Sequence, residues 1–282
     1  MSKITSSITA SPPSTVPVGV DAARASIARV YDAFLGGKDN YEIDREVFRN
    51  VQRVAPEAQD LATENRAFLI RACRFLAAET GITQFLDCGS GLPTAENTHQ
   101  VVQRENPETT VVYIDNDPVV LAHGRALLEE NERTHFVSAD IFEPAELMEN
   151  ELVRAHLDLT RPLAFLQIGT LHHHEGARHR PAELMREFIE YLPSGSFVAI
   201  SHFLDPENEH SVLARRMEKA FRHSMMGSGS FRTQTEIEEL FPGLELVSPG
   251  VVRCVDWWPD GPVVTPLSQV QQCIAGGVGR KP

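Results

Sequence analysis

The sequence predicts an α/β fold, a mostly parallel sheet with helices on both faces, and three observations lead to that prediction. From Thr83 onward short apolar runs alternate with helical stretches, which is the pattern of successive strand–helix units. The stretch Phe85-Leu86-Asp87-Cys88-Gly89-Ser90-Gly91-Leu92-Pro93 joins a buried strand to a helix through a glycine turn. Asp87, Asp115 and Asp140 each close one of the first three predicted strands, at the edge where open parallel sheets bind their ligands.

Composition narrows the function. A chain of 282 residues is long enough for one large α/β domain with an appendage. Its 39 acidic and 26 basic residues leave a net charge of −13, which disfavours nucleic acid as a partner and suits a small molecule. Cys73, Cys88, Cys254 and Cys273 lie far apart and form no C-x-x-C pair, so reduced core cysteines in a cytoplasmic protein are expected. No apolar run approaches the roughly 18 residues of a membrane span, and residues 1–20 lack the apolar block of a signal peptide.

The elements follow in order. Met1–Val20, rich in Ser, Thr and Pro, reads as a flexible tail. Residues 21–78 read as an interrupted helical cap, and 79–282 as the sheet domain. In the cap, apolar residues at helical spacing run from Ala25 to Leu35 and stop at Gly36-Gly37. A second helix is expected from Asp44 to Val54. A third, from Thr63 to Ala78, should bury Leu69, Phe75 and Leu76. Strands are expected at 84–87, 110–115, 135–138, 163–168 and 197–201. The stretches 244–247, 251–255 and 274–278 are expected to supply an antiparallel edge. A helix is predicted from Pro93 to Glu105, and another after Asn116-Asp117-Pro118 with Asp117 as its N-cap. A further helix is predicted from about Asn208 to His223.

The glycine turn and the three aspartates carry the chemistry. Gly89 and Gly91 allow a tight turn and close approach of a ligand. The helix start behind them would offer free N–H groups and a positive dipole end. An acid after the second strand can accept from both ribose hydroxyls, and one after the third from an adenine amine. Each aspartate alone is equally well read as a helix cap; three in register beside a glycine turn point to a site. Gly36-Gly37-Lys38-Asp39-Asn40-Tyr41 reads either as a polar interhelical loop or as part of a lid, residues 29–41, closing over the ligand.

Taken together, Phe-Leu-Asp-x-Gly-x-Gly, Val-Tyr-Ile-Asp-Asn-Asp-Pro and Ala-Asp resemble class I S-adenosylmethionine-dependent methyltransferases. Ala28-Arg29-Val30-Tyr31-Asp32, Leu35-Gly36-Gly37-Lys38-Asp39-Asn40, Asn65-Arg66-Ala67-Phe68-Leu69 and Leu171-His172-His173 are similar to a poorly characterised bacterial group of such enzymes. The resemblance spans nearly everything after the tail. It implies a Rossmann-like, doubly wound, seven-stranded sheet whose last strand is antiparallel. It also implies S-adenosyl-L-methionine as cofactor. Asp87, Gly89, Ser90 and Gly91 would hold its amino-acid end, Asp115 and Asn116 the ribose, and Asp140 and Ile141 the adenine end. Gln167, Tyr31, Lys38 and Asn40 complete the expected contacts. Pro93 departs from the pattern by removing one backbone donor.

The fourth strand runs into Gly169-Thr170-Leu171-His172-His173-His174-Glu175. Adjacent residues in so tight a stretch rarely converge on one ion, so no metal is expected. His172 or His173 is the candidate general base for an acceptor hydroxyl or amine, against the alternative of a segment that merely packs under the cofactor. Cys254-Val255-Asp256-Trp257-Trp258 reads as an edge strand anchored on the core, with a wall of the substrate pocket as the alternative. A methyltransferase acting on a small molecule is the expectation. A non-catalytic S-adenosylmethionine-binding regulator of the same fold is the alternative.

Overall fold

The computed structural model describes residues 21, 23–93, 96–127, 131–262 and 266–282. The predicted tail, Met1–Val20, lies outside them. Three helices come first: α1 (Ile27–Phe34), α2 (Glu42–Gln52) and α3 (Gln59–Glu79). The sheet region then runs β1 (Gln84–Cys88), α4 (Thr98–Glu105), β2 (Thr110–Asp115), α5 (Pro118–Leu127), β3 (Thr134–Ser138), α6 (Pro144–Glu149), α7 (Glu151–His156) and β4 (Ala164–Ile168). It continues with α8 (Arg180–Tyr191), β5 (Phe197–Phe203), α9 (Ser211–Arg222), α10 (Gln234–Glu238), β6 (Glu245–Leu246), β7 (Val252–Arg253) and β8 (Ile274–Arg280).

The strands form one sheet in the order β3-β2-β1-β4-β5-β8-β6, with β7 also paired to β8. β1 to β5 are mutually parallel, and β8 runs antiparallel to β5. The sheet thus has eight strands among the described residues rather than the seven the resemblance implied; the addition is the two-residue β7. The stretch 251–255 departs from the expected strand, because after Arg253 the chain turns into a short 3-10 helix at Cys254–Asp256. That turn drives Trp257 into the core between Phe68 and Phe75, with ring centroids 5.4 and 5.7 Å away.

Both sheet faces are covered, so the strands are apolar on both sides rather than alternating. Phe85, Val111, Tyr113, Leu166 and Ala199 belong to the core under α1–α4 and α9. Their neighbours Leu86, Val112, Ile114, Phe165, Val198 and Ile200 belong to the core under α6–α8 and α10. Helix α3 lies directly on the sheet. A Cβ at Gly276 of β8 would stand 2.7 Å from the Phe68 ring, so the glycine makes room for that ring.

Helix α4 begins at Thr98, not at Pro93. The N-cap is Asn97, whose backbone N–H donates to Gln100 Oε1 at 2.9 Å, one arm of a capping box. The α4 start is therefore five residues beyond the expected one, and its first donors are partly taken: His99 N–H donates to the Tyr113 hydroxyl at 2.8 Å.

The turn between α1 and α2 is built on Asp32. Its Oδ2 accepts from Asp39 N–H at 2.9 Å and from Asn40 Nδ2 at 2.7 Å. Gly37 lies so close to the same carboxylate that a Cβ there would overlap it. Asp44 then ties α2 to α1. It accepts from Ser26 N–H (3.0 Å), Tyr41 N–H (2.9 Å) and Arg29 Nε (2.9 Å), and the Arg29–Asp44 pair is buried.

Candidate active site

A cavity of about 640 Å³ opens at the C-terminal ends of β1, β2, β4 and β5 and is walled by α1 and α3. Its volume is that of a small-molecule site, which typically spans roughly 300–1,000 Å³. A shallow depression at the opposite sheet edge, lined by Thr83, Gln84, Arg133 and Asp158 among others, lies away from the glycine turn and the strand ends where ligands bind.

The glycine turn forms one side of the cavity. Gly89 and Gly91 have φ of +74° and +64°, and the N–H groups of Gly89 and Ser90 both donate to Ile114 O, at 2.8 and 3.1 Å. This binds the turn to β2. A Cβ at Gly89 would stand 2.5 Å from Thr170 Cγ2, so only glycine fits between β1 and the loop after β4. The Ser90 hydroxyl is buried with no hydrogen-bond partner among the described residues and lines the cavity. An unpaired buried hydroxyl beside a positive-φ glycine fits a polar ligand group.

Asp115 ends β2 and is buried. Its Oδ2 accepts from Gly91 N–H and its Oδ1 from Asp117 N–H, both at 2.9 Å. Burial pushes its carboxyl up to about 6, against the lowering by those N–H donors. Asp87 is buried too and accepts from Thr98 Oγ1 at 2.6 Å; burial raises its carboxyl above the ordinary range. Asp140 Oδ1 accepts from Phe142 N–H at 2.9 Å, and Asp140, Ile141 and Asn116 all line the cavity.

Of the residues expected from sequence, Asp87, Gly89, Ser90, Gly91, Asp115, Asn116, Asp140, Ile141, Tyr31, His172 and His173 come together on this cavity. Three do not reach it. Lys38 is exposed on the α1–α2 turn. Asn40 is spent inside that turn, donating to Asp32 and Gly37 O and accepting from Arg45 Nη1 at 2.9 Å. Gln167 is fully buried within β4, its Oε1 accepting from Thr170 Oγ1. The physical reason is common to all three: each is committed to, or placed by, local structure on the far side of a turn or strand.

The histidines diverge. His172 stacks on Phe203 with centroids 3.6 Å apart, His173 Nδ1 meets Ser228 Oγ at 3.0 Å, and His174 presents its ring to the edge of Phe142. Burial pulls His172 well below the usual histidine range and His173 down to about 3, so both are neutral near pH 7. Only the cavity-lining pair, His172 and His173, stays with the candidate base role.

Arg66 is the residue that sequence reading left without a role. It sits on α3, lines the cavity, and donates through Nη2 to Glu96 O. Its Nε is buried with no partner among the described residues. A fixed cation beside the glycine turn stands where the displaced α4 terminus was expected to serve. The available signal was a charged residue next to buried Asn65 on an otherwise apolar helix face.

Among the described residues no helix is long and apolar enough to cross a membrane. No curated protein matches the chain. It is similar to the crystal structure of a putative methyltransferase from Thermobifida fusca YX, at 41% identity over 94% of this chain and 98% of that one, with a TM-score of 0.88. It is also similar to a DUF574 family protein from Streptomyces avermitilis MA-4680, at 37% identity over 93% of this chain and 99% of that one, with a TM-score of 0.86. The family described as S-adenosyl methyltransferase matches residues 13–282. With a doubly wound sheet, a turn whose Gly89 admits no side chain, and unpaired polar atoms waiting at its edge, the chain belongs to the S-adenosyl methyltransferase family and is an enzyme that uses S-adenosyl-L-methionine.

Proposed function

We propose that this enzyme methylates a small molecule inside the cavity, with the polar half holding the cofactor and the apolar half the acceptor. One observation carries the reading. One cavity joins the Asp87–Gly91 turn and Asp115 to a wall of Phe34, Phe203, Phe221 and Met226. The cofactor supplies an electrophilic methyl group on a sulfonium sulfur. The chain supplies position and dryness, which such a transfer needs most.

In this reading Asp115 accepts from the ribose hydroxyls, Asp140 and Ile141 border the adenine, and Ser90 with the Asp87–Gly91 turn holds the amino-acid end. Arg66 offers its unpaired Nε to the carboxylate of that end. Residues 21–78 act as a cap whose α1 walls the cavity from Ser26 to Phe34, and 79–282 act as the methyltransferase domain. The Arg29-Val30-Tyr31-Asp32 and Gly36-Gly37 motifs support placement in the narrower bacterial group, and four free, buried cysteines support a cytoplasmic setting. The charge of −13 supports the exclusion of nucleic acid.

Calorimetry tests the assignment. S-adenosylhomocysteine is expected to bind, and Asp115→Ala to weaken it by about 1.5–3 kcal/mol, the range for hydrogen bonds to a charged group. Equal or tighter binding of a nicotinamide dinucleotide overturns the reading. Arg66→Met should weaken S-adenosylhomocysteine by about tenfold while leaving methylthioadenosine, which lacks the carboxylate, nearly unaffected. Equal losses for both ligands would remove Arg66 from that role.

The same site sets a pH dependence. The Asp115 carboxyl is raised to about 6, so it is protonated below that pH and ionised above. Hydroxyl donors favour the ionised form. Affinity for S-adenosylhomocysteine is therefore expected to rise as pH increases through about 6 and then level off, and Asp115→Asn should remove that inflection. A flat profile between pH 5 and 8 in the unsubstituted protein would show that ribose binding does not use this carboxylate.

A further inference from the structure

Beyond Gly169 and Thr170 the cavity changes character. Phe203, at the end of β5, stacks on Phe221 of α9 with centroids 5.3 Å apart and planes 19° from parallel. Phe34 of α1 adds a ring 5.8 Å from Phe221, tilted 22°. These three rings lie nearly parallel, Phe203 being stacked also on His172 and Phe231, and Met226 packs beside them as a soft, adaptable filler. The cavity residues contributed by β5, α9 and the 226–228 segment, namely Phe203, Phe221, Met226 and Ser228, carry no charge. The polar groups near this end are Ser228 and, from the loop after β4, the neutral His172 and His173, with Glu175 exposed at the rim.

His173 is oriented by its partner. His173 Nδ1 pairs with Ser228 Oγ; in the tautomer in which Nδ1–H donates, Nε2 carries the lone pair, and Nε2 has no hydrogen bond among the described residues. His172 is differently committed, its ring covered by Phe203 and its carbonyl accepting from Ser230 N–H at 2.8 Å. An anionic acceptor would meet no cation on this wall. A protonated amine would have to give up its hydration against the apolar rings, since Glu175 on the neighbouring loop lies exposed to solvent.

We propose that the methyl acceptor is a neutral aromatic hydroxy compound, its ring against Phe203 and Phe221 and its hydroxyl donating to His173 Nε2, an inference that rests on the methyltransferase reading above. The step balances simply. The hydroxyl oxygen bonds to the methyl carbon as the carbon–sulfur bond breaks, and that bond's electron pair stays on sulfur. The O–H proton passes to His173 Nε2 and from there to water. The products are a methyl aryl ether, a neutral thioether and one proton. Although burial holds His173 down to about 3, this is sufficient, because an ether oxygen that still carries the proton is far more acidic than the free hydroxyl. His173 thus aligns the oxygen and takes the proton late.

The test is a titration of the full chain saturated with S-adenosylhomocysteine. 2-Naphthol is expected to bind about tenfold or more tightly than either 2-naphthoate or saturated decahydro-2-naphthol. Phe221→Leu should weaken 2-naphthol by about fivefold or more and leave S-adenosylhomocysteine within about twofold. His173→Leu should weaken 2-naphthol similarly, and His173→Gln, which keeps an acceptor, should restore much of the loss. Tighter binding of the carboxylate or the saturated alcohol, or no binding of 2-naphthol to the loaded protein, overturns the proposal. S-adenosylhomocysteine binding is measured first. Its failure overturns the cofactor reading and this inference with it, whereas its success followed by failure of 2-naphthol overturns this inference alone.

Discussion

Asp44→Ala is expected to lower stability by about 3–5 kcal/mol, because it leaves the buried Arg29 guanidinium without its counter-charge. The same substitution strips acceptors from Ser26 N–H and Tyr41 N–H, so the loss falls on the join between α1 and α2. Helix α1 also walls the cavity, and cofactor affinity is expected to fall together with stability. Asp44→Asn keeps an acceptor for the backbone and should lie between the two. Urea denaturation monitored beside calorimetry reads both effects. Full affinity in an Asp44→Ala protein would show that α1 holds its place by apolar packing alone.

Gly89→Ala is expected to be the other severe change. The left-handed backbone costs an alanine about 1–2 kcal/mol, and the new methyl would meet Thr170 Cγ2 at 2.5 Å and Ile141 Cδ1 at 3.2 Å, adding an overpacking cost of about 1–3 kcal/mol. Gly91 has the same hand, yet nothing stands within 4 Å of a Cβ there. The two alanine variants should therefore separate. Gly89→Ala should lower the melting temperature more, whereas Gly91→Ala should lower it only by the backbone share and lose affinity as well, since its methyl projects into open space bordered by the ligand site. Identical melting temperatures for the two would contradict the packing described around Gly89.

The difference between what was legible in sequence and what was not follows the range of the interactions. β1, β2 and the start of α5 were readable because burial on both faces makes continuous apolar runs, and because Asp117-Pro118 is a local capping signal; Val119 N–H does donate to Asp117 Oδ1 at 2.7 Å. The three aspartates were readable because strand ends in a parallel sheet share one edge. The α4 start was missed because Pro93 is a permissive first-turn residue, whereas the true cap, Asn97 with Gln100, is an equally local signal further on. Lys38 and Asn40 drew a ligand reading because their motif looks like ligand chemistry, whereas Asn40 serves Asp32 and Arg45 across one tight turn and Lys38 is exposed on it. Arg66 and the Phe34–Phe221–Phe203 wall were invisible because they meet only through tertiary packing of α1, α3, α9 and β5.

The pairing of β5 with β8 also shapes how this chain must be made. All seven residues of β5 are buried, and its outer edge pairs along its full length with Ile274–Arg280. Residues 204–273 separate the two partners, so on a translating ribosome β5 emerges with an apolar, unsatisfied edge long before its neighbour exists. Such an edge is a template for pairing with another nascent chain. The glycines of β8, including Gly276 beneath Phe68, leave room for that strand against α3. Yield during biosynthesis is accordingly expected to rise with chaperone supply and with lower growth temperature, which soluble yield compared at two temperatures would read.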